Sequence, residues 1–139
     1  MTEYFIQFAP QTTIPSLTMY ASSYLNPGNI RTSRMCLYTP IPRKSKCTRF
    51  RVVTRGKWPQ SLISSAYIRG SIIKNGKTVP GGMINFEALF NVGVITRHKT
   101  IYPNIEFENT DTVGIYIETH YMSELVVSQY LSAIMIFEY

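Results

Sequence analysis

Apolar and polar residues alternate along much of the chain with a period of two. In CTRFRVVT, Cys47 to Thr54, Phe50 and Val52 fall on one side and Arg49 and Arg51 on the other, as on a strand with one dry and one wet face. In NIEFEN, Ile105 and Phe107 alternate with Glu106 and Glu108. In TVGIYIETH, Val113, Ile115 and Ile117 alternate with Gly114, Tyr116, Glu118 and His120. Three further runs, MCLY, SLISSAYIRGSII and YLSAIMIFEY, are apolar on both faces. Such runs predict strands covered on both sides, by another layer or by another subunit.

Turn chemistry separates these segments: Asn26-Pro27-Gly28, Pro40 to Pro42, Arg55-Gly56, Asn75-Gly76, Pro80-Gly81-Gly82, Tyr102-Pro103-Asn104 and Asn109 to Asp111. Asn75-Gly76 suits the two positive-φ positions of a type I′ hairpin between SAYIRGSIIK and KTVP. Pro80-Gly81-Gly82 then reads as a second turn that releases the chain into one strand, MINFEALFNVGVI. Only SELVVSQYLSA resembles a helix, with Ser123 in the N-cap place, and its Val126 and Val127 favour strand or loop. About eight strands at intervals of eight to twelve residues predict an all-β chain folded as an antiparallel β-sandwich. Its 139 residues suit a single domain, residues 1–139. Residues 1–30 are expected to be an extended N-terminal arm or the first strand.

Composition sharpens this picture. With 45% hydrophobic and 16% charged residues the chain has the makings of a core and is too apolar to be disordered. No apolar run approaches the roughly 18–20 residues of a membrane-spanning helix. The start, MTEYFIQFAPQTT, carries an acid and no Lys or Arg, unlike a signal peptide. Synthesis in the cytoplasm is expected, with any outward route by lysis or packaging into a particle. Cys36 and Cys47 flank a Pro-rich turn, and two packed free thiols are the expected state. Charge is divided unevenly. Met1 to Phe86 holds twelve of the fourteen Lys and Arg and one of the eight acids, a net of +11, and the remainder carries −5. Such asymmetry suits a basic face for nucleic acid or membrane, complementary faces between copies, or charges mixed by strand pairing within the chain.

The hairpin IIKNGKTVPG, the segment IEFENTDTVGIYIE and the final apolar strand LSAIMIFEY together resemble the second half of small jelly rolls. These are the complement-type and tumour-necrosis-factor-like globular heads and similar heads on phage fibres, with Thr110-Asp111 here where those heads carry Gly-Asp. Single jelly rolls also build viral capsid and vertex proteins of about this length. The resemblance covers Cys47 to Tyr139. It implies a single jelly roll and a homo-oligomer, a trimer or pentamer, with the strands apolar on both faces near the subunit contacts.

The residues that carry chemistry are few. His98, in RHK, reads as a solvated loop residue, and His120 as a surface residue beside Glu118. No HxH, HExxH or CxxC pattern gathers metal ligands, and no cofactor is expected. No GxSxG elbow or nucleophile context points to an enzyme. The densest cationic stretch contains Arg43, Lys44, Lys46, Arg49, Arg51, Arg55 and Lys57. It suits a ridge facing phosphates, an acidic neighbouring subunit, or plain solvent. Its acidic counter-surface would be Glu106, Glu108 and Asp111, met head to tail on another copy. Trp58, Tyr116 and Tyr121 are candidates for stacking on a base or a sugar ring. The expectation is a non-enzymatic structural subunit of a virion, a capsid, vertex or spike protein on a virus or phage particle surface, in contact with other particle proteins. A carbohydrate- or receptor-binding head is the alternative, and a small hydrolase a third class.

Overall fold

The computed structural model describes residues 2–8, 32–58, 67–87, 93–120 and 130–139. Its strands are β1 (Glu3–Phe8), β2 (Thr32–Pro40), β3 (Ser45–Trp58), β4 (Tyr67–Lys74), β5 (Lys77–Glu87), β6 (Gly93–Ile101), β7 (Ile105–Phe107), β8 (Thr112–His120) and β9 (Tyr130–Glu138). One sheet has the order β1-β9-β3-β6, with β7 also on β3, and the other β2-β8-β4-β5. All pairings are antiparallel. The chain passes from sheet to sheet at most connections, which gives, among the described residues, two facing layers of five and four strands wound as a single jelly roll.

The period-two segments fill the space between the layers. Phe50, Val52, Ala133, Met135 and Phe137 from the first sheet are fully buried, as are Ile68, Ile72, Val113 and Ile115 from the second. The layers are in close contact at Gly70. A Cβ on Gly70 of β4 would lie 3.4 Å from Val52 on the opposite sheet. Along the β5–β6 side, Arg97 Nη1 donates to the Glu87 carbonyl at 2.7 Å and Lys99 Nζ to that of Asn85 at 3.2 Å. Two cationic stems thus close that side over the apolar interior.

The hairpin at Asn75-Gly76 forms as its sequence dictates: φ is 52° and 81°, and Lys74 pairs with Lys77. Several expected turns are not reversals. Pro80-Gly81-Gly82 lies inside β5 as an irregular bulge that sets Val79 to Gly82 opposite Ile72 alone, since Ser71 pairs with Met83 but Ile73 with Thr78. Gly81 supplies the positive φ, 78°, that this bulge requires. Arg55-Gly56 continues β3, whose fourteen residues pair first with β7 and then with β6. Tyr102-Pro103-Asn104 interrupts one run beside β3, and this interruption brings the strands among the described residues to nine where about eight were expected. MINFEALFNVGVI is not one strand: Met83 to Glu87 ends β5 in one sheet, and Gly93 to Ile95 begins β6 in the other. Asn26-Pro27-Gly28 and Ser123 to Gln129 lie outside the described residues. Of the expected N-terminal arm or strand, Glu3 to Phe8 is a strand and residues 9–31 lie outside the described residues.

The two thiols are free and belong to different sheets. Cys47 points into the core, fully buried, and burial pushes its pKa up to about 12. Cys36 is half-buried beside Tyr116, and burial raises its pKa as well.

Candidate functional site: the outer face of the five-stranded sheet

The alternation that buries Phe50 and Val52 turns Arg49 and Arg51 outward, and strand register sets their neighbours. Four transverse rows cross the face. The first holds Glu3, Glu138, Lys46 and Glu106, from β1, β9, β3 and β7. The second holds Phe5, Ile136 and Arg49, and the third Gln7, Ile134, Arg51 and Thr100. Ser132, Val53 and His98 form the fourth. Phe5 is 68% exposed, and Ile134, Ile136 and Val53 are half-buried. Aliphatic side chains thus run down the centre of a face that carries acids at one end and guanidinium groups in the middle. Among the described residues, no carboxylate pairs with Arg49 or Arg51.

The basic segment and its expected acidic counterpart meet within one molecule. Because β7 pairs antiparallel with the start of β3, the parity that turns Lys46 outward turns Glu106 outward beside it. Lys44 Nζ lies 3.6 Å from Glu108 Oε1, with both side chains well exposed. An exposed pair of this kind contributes about 0–1 kcal/mol. Arg43 stacks on the Tyr139 ring, 3.6 Å from its centroid. A shallow cleft of about 380 Å³ opens there, lined by Arg43, Lys46, Glu106, Glu138 and Tyr139 among others. Head-to-tail pairing with another copy is therefore not needed to give Lys44 a carboxylate partner, since the fold already sets it beside Glu108.

Asp111 works as a turn lock. Its carboxylate accepts from Asn75 Nδ2 at 2.8 Å and from the Glu108 backbone N–H at 2.8 Å, with Lys74 Nζ 3.8 Å away. Thr112 N–H donates back to Asn75 Oδ1 at 2.9 Å. This ties the tip of the β4–β5 hairpin to the β7–β8 turn. The Asn75 bond first, then the Glu108 N–H and Lys74, holds the Asp111 carboxyl below its usual range. A depressed pKa contributes stability that is fully present above the unfolded value of about 3.9 and lost as pH falls through the folded value. Urea midpoints of the native protein and of Asp111→Ala are accordingly expected to differ at pH 7 and to converge below about pH 4. A gap that persisted at low pH would show that the carboxylate's charge is not what the turn uses.

The other expected site residues do not join this face. Tyr116 lies on the outer face of the second sheet, where Tyr67 O–H donates to Glu118 Oε1 at 2.7 Å and Tyr116 O–H to Oε2 at 3.4 Å. Arg69 lies over the Tyr67 ring at 4.2 Å and beside Glu118. Sequence reading missed this network, although the alternation of Tyr67 and Arg69 in YIRG was a usable signal. The backbone of β3 reaches Arg55, Lys57 and Trp58, whose side chains lie outside those described, as does all of Tyr121. His98 is on strand β6 and exposed rather than in a loop, and the side chain of His120 lies outside those described. Among the described residues, no three His, Cys, Asp or Glu side chains converge as a metal site needs, and no helix is long and apolar enough to cross a membrane.

No protein-family model matches the chain, and no curated protein matches it. A solved structure of similar arrangement is a selenomethionine-labelled alpha-amino acid ester hydrolase, at 7% identity and a TM-score of 0.42. The likeness covers 80% of this chain and 24% of that one, and it is too slight to bear on fold or activity.

Proposed function

We propose that the chain is a non-enzymatic structural subunit of a symmetric oligomer, a capsid, vertex or spike component of a virus or phage particle. The observation that carries this reading is the outer face of the first sheet, where Phe5, 68% exposed, and the half-buried Ile134 and Ile136 form an apolar strip between charged rows. Burying a side chain of this size stabilises a contact by about 1.5–3 kcal/mol. An exposed apolar strip rimmed by charge is what a protein interface presents. The resemblance of the hairpin and the closing strands to capsid and fibre-head jelly rolls supplies the setting, a virion or an extracellular particle surface. Fold alone does not choose among the functions that jelly rolls serve.

Charge reversal tests the reading. Arg49→Glu with Arg51→Glu is expected to leave the circular dichroism spectrum and the urea midpoint nearly unchanged, since both side chains face solvent, and to reduce the assembled fraction sharply. Unaltered assembly would remove the guanidinium groups from the account. The alternative, a carbohydrate- or receptor-binding module, draws on the second sheet, where Tyr67, Tyr116, Arg69 and Glu118 share one outer face. A monomer retained on immobilised glycans would favour it.

A further inference from the structure

We infer that the outer face of the first sheet pairs with the same face of a second copy about a two-fold axis running along the strands, between β9 and β3. This deepens the assembly reading and rests on it. A two-fold axis within the interface plane either exchanges the strands and keeps the rows, or keeps the strands and exchanges the rows. The second choice sets the cations of β3 against the cations of β3 in the other copy. The first sets β9 against β3, and there the register is self-complementary.

Within each row the exchange gives definite neighbours. Glu138 meets Lys46 of the second copy, because the two are cross-strand partners in one row. Ile136 and Ile134 lie against the aliphatic stems of Arg49 and Arg51, whose guanidinium groups extend past them to solvent. The ends of the second row carry the remaining aromatics. Phe5 stands on β1 at one end; at the other, β6 ends at Ile101, and Tyr102, next in the chain and of the same parity as Thr100, falls where that row would continue. They are 68% and 71% exposed, and the axis brings each over the other. The contact is isologous, with every pair made twice. Glu3 and Glu106 approach one another at a corner, where solvent screens them and the crossing of stacked sheets, about 30°, separates them.

The extent of the face sets its strength. Four strands at about 4.8 Å and four rows at about 6.8 Å cover roughly 500 Å² per copy, about two-thirds of the roughly 800 Å² of a standard interface. The pair is thus a weak dimer that other contacts reinforce in an assembly. Three acids on the same face, Glu3, Glu106 and Glu138, and the apolar strip oppose tracking of a phosphate backbone, so the occupant is a second copy and not a nucleic acid.

Cross-linking between different variants tests the axis. In a Cys36→Ser background, with the buried Cys47 unreactive, chains carrying Phe5→Cys and chains carrying Tyr102→Cys are prepared separately and treated with a short bis-maleimide. The 1:1 mixture is expected to give a covalent dimer several-fold above that from either chain alone. Gln7→Cys with Thr100→Cys, opposite ends of the third row, provides a second pair should the first misfold. Equal product from a single variant overturns the axis. No mixed product from samples that light scattering shows to be assembled overturns the face and leaves the oligomer reading standing. A monomer at every concentration overturns both. Mixed product that is displaced by a single-stranded oligonucleotide at low salt also overturns the proposal, by giving the face to nucleic acid.

Discussion

Gly114→Ala is expected to be among the most damaging single substitutions in the chain, at about 3–5 kcal/mol, a large part of a typical domain's stability. A Cβ at this position would collide with the Leu37 carbonyl oxygen and lie 2.8 Å from the Tyr38 Cβ. The first of these atoms is backbone and cannot rotate away. Relief requires β2 to move off β8, breaking a ladder that runs from Thr32↔His120 to Pro40↔Thr112. Gly76→Ala provides the contrast. Nothing lies within 4 Å of a Cβ there, and the penalty is only that of a left-handed backbone, φ +81°, about 1–2 kcal/mol. Urea unfolding of both variants, with unchanged slopes, separates the two mechanisms. Equal midpoints would mean that Tyr38 does not stand over Gly114.

Phe137→Ala is the second large effect, about 3–5 kcal/mol for a fully buried ring. Phe137 stacks on Tyr4 of β1 with centroids 4.9 Å apart and planes 6° from parallel, and it meets the edge of Phe107 of β7 at 5.7 Å and 71°. One ring thus joins β1, β9 and β7. Losing it forfeits the buried area, leaves a cavity, and removes pair geometry worth about 0.5–1.5 kcal/mol for each ring contact. The effect should spread to Tyr4, whose hydroxyl pairs with Ser45 Oγ and whose pKa is raised chiefly by burial. In Phe137→Ala that phenol is expected to titrate nearer its ordinary value of about 10. Unchanged stability together with an unchanged phenol titration would place the ring outside the core.

The parts of the fold that one strand's own chemistry decides were legible in the sequence. Phe50 and Val52 against Arg49 and Arg51 fixed both faces of β3, and Asn75-Gly76 fixed the β4–β5 hairpin, because a two-residue turn with two positive φ angles has few sequence solutions. Register between distant strands was not legible. Nothing in PRKSKC or NIEFEN says that Lys46 stands opposite Glu106, so opposite charges of one molecule read as complementary faces of two. The same blindness turned Pro80-Gly81-Gly82 and Arg55-Gly56 into reversals, where the hydrogen bonds of a partner strand carry the chain through as a bulge or a straight run. Asp111 read as surface charge for a similar reason: its partners Asn75 and Lys74 lie more than thirty residues away in sequence. The rows on the outer sheet face exist only once β1 and β9 are known to be neighbours.

The central claim, that this jelly roll works as a subunit among copies of itself, is tested most directly by its solution mass. Light scattering is measured from low to high protein concentration, at low and high salt, with absorbance recorded for co-purifying nucleic acid. The account predicts an average mass that rises with concentration from 15.9 kDa towards a multiple of it, that falls as salt screens Glu138 and Lys46, and that carries no nucleic acid. A constant 15.9 kDa under every condition would contradict it.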